Sequence, residues 1–366
     1  MRVLHVITDL DTGGAESTLV ALVTAERPHR PEQHVVSLLP DGVLAHRLRD
    51  AGIPVSSLAM RRGRPSIAAV WRLARLLRAT KPDAVQSWMY HADLMAAAAW
   101  RLSGRSRDTR LYWGVRCSDM DGRRYGGAFR LVRAACARLS HLPMAVVANS
   151  DAGRAWHRGL GYRPRRFPVI RNGIDTDRFR PDPDARAALR RELGIDAATP
   201  LLIHVARVDP MKHHATLVAA LDRLPGVAAL AAGAETEALP PHPRLHRLGR
   251  RDDAPRLYAA GDAVVSTSAF GEGFSNSVAE GMSAGLPAIA TDVGDARILV
   301  GDCGTVVPPR QPAAFADAVQ AVLAVPAESR AELGRRARDR IVTRFSLQRM
   351  VAAFDALHRG ELTDPG

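Results

Sequence analysis

Short apolar runs alternate with stretches of helical period along the whole chain. Residues 3–8 read as a strand, and the turn Asp11-Thr12-Gly13-Gly14 leads into a helix over 15–25. A strand over 34–39, a short helix over 44–51 and an amphipathic helix over 67–79 follow. Next come a strand over 84–87, a helix over 92–102 and strands over 145–149 and 167–170. The second half repeats the alternation. Strands are predicted over 201–206, 227–232, 263–267 and 288–291, and helices over 215–224, 254–260, 276–284 and 313–323. A Pro-rich stretch at 239–243 interrupts it, and 347–358 reads as a last amphipathic helix.

Such alternation implies parallel sheets covered by helices on both faces. Two sets in 366 residues imply two α/β, Rossmann-like domains. The boundary is expected near Arg171-Asn172-Gly173-Ile174-Asp175, where turn residues follow a strand. The division is 1–170 and 171–345, with the closing helix 346–366 packing back on the first domain.

Composition changes this picture little, but charge changes it more. Hydrophobic residues at 46% and charged residues at 24% suit a globular chain. Cys117, Cys136 and Cys303 have no metal-ligand spacing and read as thiols of a reducing compartment. The chain opens directly on a strand, without the pattern of a signal peptide, and its longest apolar run falls short of a membrane span. A cytoplasmic location is expected. Of the net charge of +13, residues 1–170 carry 27 Lys and Arg against 13 Asp and Glu, while the remainder carries 24 against 25. A basic half implies an anionic partner. Arg61, Arg62, Arg64, Arg72, Arg75, Arg78 and Lys81 lie in or beside the 67–79 helix with Ile67 and Trp71, and a second cluster runs from Arg123 to Arg138. This suits an anionic bilayer surface, or an ordinary solvated helix. No helix-turn-helix, zinc-finger or aromatic RNP signal supports nucleic-acid binding.

Three segments carry candidate chemistry. Gly13-Gly14 ends the first strand and opens the first helix, where backbone N–H groups and the helix dipole favour an anion. It lacks the third glycine of a dinucleotide fingerprint, and a plain tight turn reads equally well. Arg207 and Lys212 follow the first strand of the second domain, where a compact loop could aim a guanidinium fork and an ammonium at one phosphate or leave both solvated. The string Phe270-Gly271-Glu272-Gly273-Phe274-Ser275-Asn276-Ser277-Val278-Ala279-Glu280 offers free amides in a small-residue loop and two carboxylates. Carboxylates accept from vicinal hydroxyls, although either Glu singly could be a helix-cap residue. Asp9-Leu10-Asp11 and Asp182-Pro183-Asp184 have the Asp-x-Asp spacing of a metal site, but fall in the glycine turn and the linker. No metal is expected.

The second half, over 268–294, resembles family 4 of the glycosyltransferases, whose hallmark is two glutamates separated by seven residues. Further likenesses are Asp11–Glu16 at the N-terminal glycine loop and Val147-Ala148-Asn149-Ser150 with Val169–Asp175 at the interdomain segment. Arg207 with Lys212, and Leu248-Gly249-Arg250 beside the nucleobase, complete them. The order and spacing agree across roughly 1–310.

The resemblance implies a GT-B fold, with two Rossmann-like domains facing a central cleft. It also implies retaining, metal-independent hexosyl transfer without a cofactor. The donor would be a nucleotide-diphosphate sugar, a UDP-sugar first, and the acceptor a glycan or lipid-linked molecule of cell-surface polysaccharide or glycolipid synthesis. Gly13 and Gly14, with Arg207 and Lys212, would hold the diphosphate. Glu280 would bond the ribose, and Glu272 with the amides of Gly273, Phe274, Ser275 and Asn276 would hold the sugar. Arg250 would lie beside the base, and His91 near the sugar. Peripheral contact with the inner membrane face through the first domain is expected, and contact with nucleic acid is not. Gly294-Asp295 departs from the family's two glycines; Asp295 reaches the site edge or caps a helix. The competing functions are a nucleotide-sugar epimerase on a similar fold and a non-enzymatic basic protein binding nucleic acid or membrane.

Overall fold

The computed structural model describes residues 1–64, 66–120 and 126–361. The chain divides into two compact units, Met1–Gly173 with Leu347–Gly366, and Ile174–Ser346.

The first unit contains β1 (Arg2–Ile7), α1 (Gly14–Thr24), β2 (Glu32–Ser37), α2 (Val43–Asp50), β3 (Val55–Ser57), α3 (Ile67–Thr80) and β4 (Ala84–Trp88). These are followed by α4 (Tyr90–Leu102), β5 (Arg110–Val115), α5 (Gly127–Leu139), β6 (Ala145–Ala148) and α6 (Asp151–Gly159). The second contains α7 (Pro183–Glu192), β7 (Leu201–Val205), α8 (His214–Asp222), β8 (Ala228–Ala232), β9 (Leu245–Arg247), α9 (Ala254–Ala259) and β10 (Ala263–Ser266). It continues with α10 (Asn276–Ser283), β11 (Ala288–Thr291), α11 (Ala296–Val300), β12 (Gly304–Val307), α12 (Pro312–Ala324) and α13 (Ala327–Arg344). The last helix, α14 (Leu347–Arg359), belongs to the first unit.

Each unit has a six-stranded, all-parallel sheet, ordered β3-β2-β1-β4-β5-β6 in the first and β9-β8-β7-β10-β11-β12 in the second. Counted within its own unit, each order is 3-2-1-4-5-6, that of a Rossmann sheet. The strand order reverses between β1 and β4 and between β7 and β10, so ligand sites are favoured beyond the carboxyl ends of those strands. The strands are buried on both faces because helices cover both. Leu4, Val6 and Val85 pack into one apolar cluster and Val3, Ile7 and Ala84 into another. In the second unit the same split puts Leu201 and Ile203 in one cluster and Leu202 in the other.

In the first unit α14 covers the sheet by stacking Phe354 on Trp88, at 5.8 Å between ring centroids. Asp355 pairs with Arg27 at 2.8 Å, with both side chains largely buried.

Two expectations need correction. The segment 167–170 is not a strand: it runs beside β6 with a single bridge, Val169 to Ala148. Pro168 accepts from the Ala148 amide but has no N–H to return, so no regular ladder forms. Asp182-Pro183-Asp184 is a helix start rather than linker. Asp182 Oδ1 accepts from the Ala185 amide at 2.9 Å, and Pro183 opens α7 without the N–H that a first turn does not need. Of the second basic cluster, Arg123 and Arg124 lie outside the described residues.

Candidate active site

The candidate residues fall beyond the switch point of each sheet. In the second unit, the loop after β7 carries Arg207 and Lys212, and the loop after β10 carries Glu272 and leads into α10 with Glu280.

Lys212 and Glu272 come together. The Lys212 ammonium donates to Glu272 Oε1, which also accepts from Ser268 Oγ at 2.9 Å. Both charged side chains are mostly buried. Beneath them Thr267 Oγ1 donates to the Lys212 carbonyl at 2.9 Å and meets His204 Nε2 at 3.2 Å. His204 is fully buried, and desolvation, then the nearby His214 and Lys212, hold its pKa well below the usual histidine value. The Lys212 loop is therefore tied to the ends of two adjacent strands. Arg207 is placed differently: half exposed, it pairs with Asp209 at 3.0 Å.

The glycine loop between Glu272 and α10 is fixed from behind. Gly271 has φ +80°, and Gly294 has φ +64°; a Cβ on Gly294 would fall on the carbonyl oxygens of Glu272 and Gly273. The Asp295 amide donates to the Gly273 carbonyl at 2.9 Å. Asp295 is buried and its side chain makes no cap bond to α11, while its backbone holds the loop. The Phe274 side chain is core, 5.3 Å from the Phe345 ring, which leaves its backbone amide to the site. Ser275 and Asn276 are half-buried at the start of α10.

Glu280 Oε2 accepts from the Tyr258 hydroxyl at 3.0 Å. Burial pushes the Glu280 carboxyl up to about 7, while the Tyr258 bond and then Arg178 oppose the rise. Arg250 is exposed after β9, next to Gly249, whose amide donates to Thr236 Oγ1 at 3.0 Å.

In the first unit, Gly13 caps α1 with extended backbone and Gly14 begins the helix. The Glu16 carboxylate lies against Gly13, so the turn already has an anionic group of its own beside it. His91 is exposed in the first turn of α4 and is not a buried structural histidine. Partial desolvation, and then the Arg62 guanidinium, lower its pKa. Arg62 pairs with Asp9 at 3.0 Å, so this cation belongs to the carboxyl edge of the sheet rather than to the basic face of α3. Ahead of His91, Met89 has φ +72° and ψ 159°, a region that costs a non-glycine residue about 1–3 kcal/mol.

Sequence reasoning named neither Tyr258, Ser268, Thr267 nor Arg62 as part of these arrangements. Ser268 opens the 268–294 stretch that carries the family resemblance, and its hydroxyl was the available signal. Tyr258 precedes Glu280 by a whole strand and loop, and nothing in the local pattern links them.

A family model described as "Glycosyltransferase Family 4" matches residues 12–178, and one described as "Glycosyl transferases group 1" matches residues 199–324. A D-inositol 3-phosphate glycosyltransferase of Xylanimonas cellulosilytica is 34% identical over 195 residues, 47% of this chain and 45% of the relative. That of Mycobacterium tuberculosis is 30% identical over 232 residues, 58% of this chain and 48% of the relative. The matched region thus spans under half the length of these relatives. Among solved structures, Anabaena HepE in complex with UDP and glucose is similar with a TM-score of 0.85 and 23% identity, covering 99% of this chain and all of that one. The apo lipopolysaccharide outer core galactosyltransferase WaaB gives 0.70 at 16% identity, covering 99% of this chain and 100% of that one.

The fold is that of the GT-B glycosyltransferases. The chain belongs to glycosyltransferase family 4.

Proposed function

We propose that this protein is a retaining glycosyltransferase that moves a hexosyl unit from a nucleotide-diphosphate sugar, with a UDP-sugar the first choice. The acceptor would be a glycan or lipid-linked molecule of cell-surface polysaccharide or glycolipid synthesis. The observation that carries the reading is the Lys212–Glu272–Ser268 cluster beyond the switch point of the second sheet, with Glu280 on the next helix. It supplies a cation for a diphosphate and carboxylates for sugar and ribose hydroxyls. HepE, solved in complex with UDP and glucose and with UDP-glucose, supports a UDP-sugar donor here.

As the glycosidic bond breaks, the departing diphosphate gains charge. Lys212 and Arg207, with the amides of Gly273 to Asn276, would stabilise it without a metal, since fixed charges need no reorganisation during the step. Retention places the acceptor hydroxyl on the face the diphosphate leaves, so a phosphate oxygen can take its proton. Glu272 would orient the sugar. Gly13, Gly14 and His91 would serve the donor from the first unit, and Arg250 the base. The metal-free reading is helped by the Asp-x-Asp segments: Asp9 is paired with Arg62, and Asp182 caps α7.

Contact with an anionic membrane is part of the proposal. No helix among the described residues is long and apolar enough to cross a bilayer. On α3, Ile67 is 79% exposed and Trp71 49%, beside exposed Arg72, Arg75 and Arg78. Two exposed apolar side chains within a basic face suit insertion at a charged lipid surface.

The test incubates purified protein and EDTA with UDP-sugars and candidate acceptors, and reads the anomeric configuration of the product by NMR. Transfer with retained configuration, lost in Lys212→Ala, supports the reading. Donor conversion without an acceptor would instead indicate an epimerase. Flotation with phosphatidylglycerol vesicles, lost in Ile67→Glu with Trp71→Glu, tests the membrane contact.

A further inference from the structure

The second carboxylate of the candidate site is not held by the loop that presents it. Glu280 projects from α10, and the group that holds it comes from a different helix. Tyr258, on α9, is fully buried, its ring edge-on to Phe179 at 5.9 Å between centroids. Its hydroxyl donates to Glu280 Oε2 at 3.0 Å. A long carboxylate side chain fixed at one oxygen loses rotamer freedom before any ligand arrives, and its other oxygen is then set in one direction.

We propose that Tyr258 is a positioning residue for nucleotide recognition: its phenol fixes Oε2 of Glu280 so that Oε1 is set to accept from the ligand's ribose hydroxyls. This rests on the proposed donor site and deepens it.

The surroundings make the phenol matter. α10 packs against α9, α13, β7, β10 and β11. From α9 comes Tyr258 itself. From the segment before α7, Arg178 favours the ionised carboxyl. From α13, Arg338 commits its donors to the carbonyls of Thr176, Phe179 and Ser283. On β7, His204 is held neutral beside Thr267. The strands β10 and β11 carry no charged side chain. Against desolvation that drives the carboxyl toward protonation, the Tyr258 hydrogen bond is the largest opposing influence. A protonated Glu280 would have fewer lone pairs for a vicinal diol.

The experiment measures dissociation constants by calorimetry for UDP, GDP and ADP between pH 5.5 and 8.5. It compares wild type, Tyr258→Phe and Glu280→Gln. The ligand's own phosphate titration is common to all three proteins and cancels. For the tightest probe, wild-type affinity is expected to rise with pH through a midpoint near the Glu280 value of about 7. Tyr258→Phe should move that midpoint up by about one pH unit and weaken binding about fivefold at pH 7, with most of the affinity recovered toward pH 8.5. Glu280→Gln should bind weakly and without that step.

An unchanged midpoint in Tyr258→Phe overturns the proposal, as does a loss equal at every pH, which marks a structural lesion. Failure of wild type to bind all three probes overturns the donor-site reading itself. Should Tyr258→Phe not fold, a carboxyl-carbon NMR titration of Glu280 in wild type decides. A midpoint near 7 supports the assignment, and one below 5 overturns it.

Discussion

Lys212 and Glu272, sixty residues apart in the chain, share a buried ion pair at the mouths of two adjacent strands. Removing the ammonium takes the charged donor from Glu272 Oε1 while the Ser268 hydroxyl still donates to it. Lys212→Met keeps the stem and deletes the charge. It should lower the transfer rate by about 100- to 1000-fold, the scale for losing one preorganised charge stabiliser. Stability should fall by about 1–3 kcal/mol, the cost of a mostly buried carboxylate that has lost its charged partner. Kinetics and urea unfolding on the same preparation separate the two effects.

Gly294 offers a test of the loop that presents Glu272. Its φ of +64° and the adjacent carbonyls of Glu272 and Gly273 leave no place for a side chain. Gly294→Ala must both strain its backbone, at about 1–2 kcal/mol, and push the loop away. The expected result is a lower melting temperature and loss of nucleotide binding together. Gly52→Ala, also at positive φ but with open space around it, should carry the strain without the loss of binding.

Two opposed pairs of buried groups set the pH dependence of stability. Burial raises Glu280 and Asp93 to about 7. In the folded state both therefore hold a proton more tightly than when unfolded, so their contribution is complete at low pH and is lost as pH rises through about 7. His5 and His157 act oppositely. Burial lowers each to about 4, so they stay neutral when folded and gain a proton when unfolded below about 6.5. Their contribution is present above that pH and is lost as pH falls toward 4. The two trends offset each other between about pH 4 and 6.5; above about pH 6.5 only the carboxyl loss continues, so melting temperature should fall between about pH 6.5 and 7.5 and level off beyond. Asp93→Asn should raise stability at pH 8 by about 2–3 kcal/mol and flatten the alkaline side. An unchanged alkaline slope would contradict the assignment.

Arg116 joins three parts of the first unit. Its guanidinium lies over the rings of Trp88 at 4.4 Å and Phe354 at 5.3 Å, and Nη1 donates to Asn172 Oδ1 at 3.1 Å. The contact spans β4, the segment after β6 and the returning helix α14. Arg116→Lys keeps the charge but loses the planar stack and the fork. Stability should drop by about 2–3 kcal/mol, read by urea unfolding, with amide exchange increased first in α14.

Most elements were legible because the signal was local. The apolar run at 201–206 became β7, 288–291 became β11 without change, and 67–79 became α3 with one residue added. Strands buried on both faces have no alternation to read, and some went unmarked. β5 was missed because Arg110 and the aromatic pair Tyr112-Trp113 mask its apolar run, and β12 because it is short and begins at glycine. α13 was missed because its surface is dominated by charge. The bridge at Val169 was over-read as a strand because an apolar run does not show that its proline cannot donate.

The sequence by itself determined the two-sheet class, the spacing of Glu272 and Glu280, and the glycines that only a tight loop tolerates. Periodicity, turn chemistry and residue type are properties of neighbours in the chain, and they suffice for these. The tertiary structure decided which groups meet. It paired Lys212 with Glu272 and Arg62 with Asp9, and set Tyr258 behind Glu280. Those partners come from separate strand ends and helices, brought together by parallel pairing, and no local pattern encodes a contact across the strand order of a sheet.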